Sequence, residues 1–135
     1  MKALFIGSSI NLKKIGESLI DKIDDLIFLN SEHFKFSSWS LFNNDKVTFF
    51  DGDEKKIDDL VNAGLEDSDI IIIDTEEDVE SLFVAQKCKI NLSSTIFIVL
   101  DDLSTSEIFG EMGFLILNSN NLNLDEIIKF TEKLK

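Results

Sequence analysis

Residues 50–82 read FDGDEKKIDDLVNAGLEDSDIIIIDTEEDVESL, and the order of elements along the chain is worked outward from them. Four isoleucines, 70–73, stand between Asp69 and Asp74. A run this short, wholly β-branched and bounded by acids suits a strand buried on both faces, as in a parallel sheet covered by helices. Ahead of it Ile57, Leu60 and Val61 keep helical spacing, and Gly64 supplies a helix stop. The unit is strand, helix, strand, with a crossover that is right-handed by default. Ligands of such sheets sit beyond the C-terminal ends of the strands. Here those ends are Asp51-Gly52-Asp53 and Asp74-Thr75.

The same alternation extends both ways. Short apolar runs at 3–6, 26–29, 47–50, 95–100 and 114–117 predict five more strands. Helical spacing predicts helices at 13–22, 57–63, 79–89, 105–112 and, amphipathic, at about 123–134. Residues 31–45, with His33, Phe34, Phe36, Trp39 and Phe42, are the least patterned and predict a short or irregular helix. Strands alternating with helices give an α/β sandwich, and no linker or repeat interrupts residues 1–135, which are expected to form a single domain.

The chain has 135 residues, 44% hydrophobic, and a net charge of −13. That charge argues against nucleic acid and against an anionic membrane surface. No apolar run nears the ~18 residues of a membrane span, and MKALFIGSS reads as a strand, not a signal peptide. The lone Cys88 excludes an internal disulfide and fits a reducing cytosol, so a cytoplasmic location is expected. Arginine, proline and tyrosine are all missing. Without arginine no bidentate guanidinium can clamp a phosphate.

Gly52-Asp53, the run Ala63-Gly64-Leu65-Glu66-Asp67-Ser68-Asp69, and Thr75-Glu76-Glu77-Asp78 together resemble the second half of the RCK (KTN, TrkA-N) domain, a Rossmann-type regulatory domain of potassium channels and transporters. That family has "GD" after the third strand, "AGIEDAD" before the fourth and a "TxxD" turn after it. The register runs from Met1 to about Leu122. The resemblance implies a three-layer Rossmann-like fold, a mostly parallel six-stranded sheet of order 3-2-1-4-5-6 with helices on both faces. It also implies a homodimer or larger assembly, and a membrane potassium transporter or channel subunit as partner. Family members assemble through helices on the sheet's faces and through the segment after the sixth strand, where the last helix lies. The family's second regulatory lobe is not expected within 135 residues.

A dinucleotide fold needs a tight first turn, whose GxGxxG glycines serve a sharp bend, close approach to pyrophosphate and helix–strand packing. Here the turn is Gly7-Ser8-Ser9-Ile10-Asn11-Leu12. Only the first glycine is kept. Ser9 puts a Cβ where phosphate approaches, and Leu12 is expected to push the helix off the strand, with Gly16 softening that packing. Ser8, Ser9 and Asn11 could donate to an anion; equally, Ser9 or Asn11 could cap the helix. The second strand ends in Asn30, where an acid would hold the ribose, and Glu32, two residues on, is the alternative acid. The family often places an arginine on the fifth strand, and Val99 stands there. Asp53 and Thr75 hold positions that in the family lie near base and ribose. The candidate binding residues are therefore Gly7, Ser8, Ser9, Asn30, Asp53 and Thr75, for NAD(H) or a smaller adenine nucleotide such as AMP, with binding weakened, changed in ligand, or lost. If Ser9 and Leu12 cause the weakening, glycine at both should restore affinity.

Other chemistry is sparse. His33 has no Cys or His neighbour to make a zinc site. Cys88 reads as buried and inert. Asp51, Asp53 and Asp74 could gather a divalent cation, with Asp101 and Asp102 on the same rim; the acidic run 74–80 reads as a solvated helix start. No catalytic constellation is recognisable. Of the twelve phenylalanines, Phe34, Phe36, Phe42, Phe109 and Phe130, with Trp39, are the hardest to hide and would mark a contact surface if exposed. Three readings follow: a non-catalytic regulatory domain, a scaffold that keeps only the fold and an assembly surface, and an NAD(P)-dependent oxidoreductase, the last disfavoured by the altered glycine turn.

Overall fold

The computed structural model describes residues 1–31, 33–90 and 94–134. Six strands and five helices alternate: β1 (Lys2–Ile6), α1 (Ile10–Leu19), β2 (Asp25–Asn30), β3 (Val47–Asp51), α2 (Ile57–Asn62), β4 (Ile70–Ile73), α3 (Asp78–Cys88), β5 (Thr95–Leu100), α4 (Ser106–Glu111), β6 (Leu115–Asn118) and α5 (Leu124–Leu134). The strands form one sheet of order β3-β2-β1-β4-β5-β6, and every neighbouring pair is parallel. This is the Rossmann-like order that the resemblance implied.

Alternate side chains of a strand face opposite ways, and the sheet feeds two cores. Ala3, Phe5, Phe28, Ile70, Ile72, Phe97 and Val99 pack on one face with Leu12, Ile15 and Leu19 of α1 and Ile127 of α5. Leu4, Ile6, Ile71, Ile73, Ile98 and Leu100 pack on the other with Leu60 of α2 and Val84, Ala85 and Cys88 of α3. All four isoleucines of β4 are fully buried, as a strand covered on both sides requires. Cys88 is buried too, and burial pushes its thiol up to about 12, which leaves it inert at neutral pH.

α1 starts three residues earlier than the apolar spacing predicts, because Ser9 caps it and places Ile10, an exposed residue, in its first turn. Leu12 does not push this helix away. It is fully buried in the core, and the close approach falls at Gly16, where a Cβ would stand 2.9 Å from Leu41 Cδ1 and 3.3 Å from Phe28 Cζ. Residues 33–43 form two 3-10 helices, His33–Ser38 and Ser40–Asn43. They bury Phe36 and Trp39 against Phe28 and Phe49, with ring centroids 4.6–5.4 Å apart. The side chains of His33 and Phe34 lie outside the described residues, as does Glu32.

Most of the phenylalanines thought hard to hide are therefore core or its margin. Phe109 and Phe130 are partly buried against the two cores, and Phe42 alone of those described is exposed. The stripe of α5 is spent likewise: Ile127 and Thr131 are buried, and Leu124, Ile128 and Phe130 pack beside them; the side chain of Leu134 lies outside the described residues. Ile10 and Phe42 are exposed on this side, but more of the open apolar surface lies on the helices of the other face. There it comprises Ile57 and Val61 of α2, Val79 (78% exposed) and Phe83 (50%) of α3, and Ile108 (62%) of α4. No described helix is long and apolar enough to cross a membrane.

Candidate functional site

The strand register brings the predicted site residues to one edge. Ile6 pairs with Leu29 and with Ile73, and Asn30 pairs with Asp51. Gly7, Asn30, Asp51 and Asp74 therefore follow or end four adjacent strands at one level. Beyond them lies a cavity of about 580 Å³, lined by Ser8, Ser9, Asn30, Asp53 and Thr75 of the predicted set, together with Ser31, Glu54, Lys55, Asp74, Glu76 and Glu80.

Gly7 shapes the first turn without lining the cavity. Its φ is +122°, and a Cβ there would stand 2.1 Å from the Asp74 carbonyl oxygen. Only glycine lets the chain leave β1 so close to the end of β4. Ser9 then closes the turn. Its hydroxyl accepts from Leu12 N at 3.2 Å and donates to Asp74 Oδ2 at 2.6 Å, while Asn11 Nδ2 donates to the same oxygen at 3.2 Å. Of the two uses open to Ser9, capping is the one found, and its proton goes to a carboxylate of the chain itself.

Asp74 is 7% exposed. Burial raises its carboxyl to about 6; the Ser9 and Asn11 hydrogen bonds oppose this, and Asp101 and Asp78 add repulsion. Thr75 is held in its turn by Ser81: Thr75 N donates to Ser81 Oγ at 2.9 Å, the two hydroxyls lie 2.7 Å apart, and Thr75 Oγ1 donates to Glu77 O at 3.0 Å. Asp78, the acid of the "TxxD" turn, accepts Asp101 N at 3.0 Å and Asp102 N at 2.9 Å, tying the start of α3 to the end of β5. Gly52 is needed for space, since a Cβ would come 3.0 Å from Leu29 Cδ1 and 3.1 Å from a Phe50 ring carbon. Asp53 N donates to Asp59 Oδ2 at 2.7 Å, and Asp53 Oδ1 accepts Lys55 N at 2.9 Å. Asn30 is nearly buried at the mouth of β2.

The sequence reading missed Glu54, Lys55 and Glu80. Glu54 directly follows the "GD" pair, and Lys55 Nζ meets Glu80 Oε1 at 3.1 Å. Their adjacency to Asp53 was the available signal. Glu80 lies in the acidic first turn of α3, as the run 74–80 predicts, and also forms part of the cavity wall. Glu54 is 8% exposed, and its carboxyl is raised above the ordinary value, first by burial and further by Glu80 and Asp53. Val99 is buried in the core, so β5 brings no cation; Lys55 is the cation of the cavity wall among the described residues. Asp51 does not line the cavity with Asp53 and Asp74, and no cluster of three metal-ligating side chains occurs among the described residues.

A family model described as the TrkA-N domain matches residues 37–119, more than half of the chain. No curated protein matches the sequence. Among solved structures, the TrkA-N domain of the inner membrane protein YbaL from Escherichia coli superposes with a TM-score of 0.74 at 16% identity, over 98% of this chain and 95% of that one. The GsuK channel bound to NAD gives 0.68 at 11% identity, over 85% of this chain and 21% of that chain. The human SLO3 gating ring gives 0.61 at 15%, over 87% and 24%. The chain thus spans about a fifth of the GsuK chain and a quarter of the SLO3 chain. At these identities the likeness is one of fold.

Proposed function

We propose that this chain, which belongs to the TrkA-N domain family, is a non-catalytic regulatory domain of a potassium transport system, with nucleotide binding weakened or changed in ligand. Residues 1–135 act as one N-lobe-like unit on the cytoplasmic side, as a homodimer and docked to a transporter or channel subunit. The similar folds in the GsuK channel and the SLO3 gating ring support the regulatory part. The observation that carries the altered-ligand part is the closed first turn. Ser9 gives its proton to Asp74 and its lone pair to Leu12 N, so the turn that offers donors to pyrophosphate in a dinucleotide fold satisfies itself. Ser8, Ser9, Asn30, Asp53 and Thr75 line the remaining cavity, with Gly7 setting the turn beside it, and its size suits AMP better than NAD(H).

A thermal-shift screen against NAD, NADH, NADPH, ATP, ADP and AMP tests this. A ligand at a hundredfold its dissociation constant stabilises by ~2.7 kcal/mol, several degrees for a domain of this size. The expected result is a shift with AMP and a smaller one with NAD(H). A full NAD(H) shift at micromolar concentration overturns the altered-ligand reading. The scaffold reading, in which the domain only assembles, is favoured by the open apolar side chains on α2, α3 and α4, and no shift with any ligand would select it.

A further inference from the structure

Two side-chain donors of the first turn are held by one atom. Ser9 Oγ donates to Asp74 Oδ2 at 2.6 Å, and Asn11 Nδ2 donates to the same oxygen at 3.2 Å. The cap of α1 uses neither proton. There Ser9 accepts from Leu12 N, and a hydroxyl can go on accepting whichever way its own proton points. What turns the Ser9 proton away from the cavity is therefore the Asp74 carboxylate. Ser8, Ser9 and Asp74 all line that cavity.

A protonated carboxyl acts differently. The ionised group only accepts, and its charge makes the bonds it receives about twice as strong as neutral ones. Uptake of a proton by Asp74 loosens its hold on Ser9 and Asn11 and removes a negative charge beside the turn. Both changes favour an anionic group there. The surroundings prepare Asp74 for this. It is 7% exposed at the end of β4. Its burial, with Asp101 after β5 and Asp78 at the start of α3 repelling its charge, outweighs the Ser9 and Asn11 hydrogen bonds and raises it to about 6. The rest of the cavity wall brings Asp53, Glu54, Glu76 and Glu80, and one cation, Lys55, which is engaged with Glu80 at 3.1 Å.

We propose that Asp74 makes anion binding in this cavity acid-dependent: when it takes up a proton, the Ser9 hydroxyl passes from the carboxylate to a phosphate monoester at the first turn, with Asn11 released beside it. This rests on the reading of the cavity as a nucleotide site, and it adds the regulation of that site. At neutral pH the charged carboxylate keeps the turn closed on itself, and mild acid opens it. Linkage runs both ways, so a bound phosphate also favours the protonated carboxyl.

The test is calorimetry with AMP, and with adenosine as its phosphate-free counterpart, at pH 5.5 and 7.5. It compares the wild type with Asp74→Asn, which keeps the shape and is uncharged at both pH values. A phosphate monoester itself titrates near 6, so the two chains are compared at each pH and the ligand's own titration cancels. The variant is expected to bind AMP on the order of tenfold or more tightly than the wild type at pH 7.5, where few wild-type chains hold the proton. At pH 5.5 the two should agree within about twofold, and adenosine should separate them at neither pH. Equal AMP affinities at pH 7.5, or an adenosine difference as large as that of AMP, overturn the proposal and leave the nucleotide reading standing. No AMP binding by either chain at either pH overturns both. Carbon NMR of the Asp74 carboxyl gives a second readout on the wild type alone. The carboxyl is expected to titrate at higher pH with saturating AMP than without it. An unmoved midpoint overturns the proposal even if Asp74→Asn does not fold.

Discussion

Asp74 sits at the C-terminal end of β4, buried, with two donors on one oxygen. Its carboxyl titrates near 6 instead of the ordinary 3.8, chiefly through burial. The folded chain therefore keeps this proton between about pH 4 and 6, where the unfolded chain has released it. Stability from this group rises as pH falls from 7 through 6 and levels off below 4. A shift of this size corresponds to about 2–3 kcal/mol. Asp74→Asn, which cannot ionise, is expected to be more stable than the wild type at pH 7.5, with the difference vanishing near pH 4; urea melts at both pH values check it. The first turn yields a second expectation. Changing Ser9 and Leu12 to glycine looked like a repair when only the sequence was read, but Leu12 is fully buried and Ser9 both caps α1 and holds Asp74. A buried leucine truncated to alanine alone costs about 2–5 kcal/mol. The double variant is expected to lose at least that much in a denaturant melt, with no gain in nucleotide affinity. The capping role of Ser9 was legible from local chemistry. Its bond to Asp74 was not, because the partners lie 65 residues apart and meet only through the β1–β4 pairing.

The elements were easiest to read where a strand is buried on both sides. Ile70–Ile73 and Thr95–Leu100 fall where the apolar runs put them. The start of α1 was harder, since the Ser9 cap and not apolar spacing sets it at Ile10. The stretch after β2 was legible only as a short or irregular helix, and two 3-10 helices are found there. Its aromatics have no helical period, because two 3-10 turns let Phe36 and Trp39 fold back on Phe28. The "TxxD" turn acquires a mechanical meaning here: Asp78 receives the amides of both Asp101 and Asp102. Asp78→Ala should free those two exposed amides to water, raising their hydrogen-exchange rates, and cost about 0.5–1.5 kcal/mol, the net worth of a typical hydrogen bond. Unchanged exchange at both amides would show that α3 and β5 are tied by packing alone.

At the scale of the whole molecule, the two faces of the sheet are unequally finished. One is covered by α1, α5 and the aromatic turns except at Ile10 and Phe42, while α2, α3 and α4 leave Val79, Phe83 and Ile108 open. The amphipathic pattern of α5 had pointed to the covered face; its stripe is consumed by the chain's own core, which periodicity cannot distinguish from a docking stripe. In the proposed homodimer the open face is the one that associates. Phe83→Glu is expected to weaken self-association at least tenfold in sedimentation equilibrium. It should change folding stability by no more than about 1 kcal/mol, the scale of the cation–π contact at 4.6 Å between Lys87 and the Phe83 ring. A wild type that stays monomeric at high concentration removes the dimer from the proposal.

The central place of β1 carries one more consequence. Its residues are joined to β2 on one side and to β4 on the other, with Ala3 beside Ile70. A chain emerging from a ribosome makes these residues before the rest of the sheet, yet Leu4, Phe5 and Ile6 lack their second neighbour until residue 73 has been made. Parallel pairings of such separation close slowly. The nascent chain thus carries an apolar central strand half-covered for some sixty residues of synthesis, a window in which a chaperone, or an aggregate, finds an easy handle.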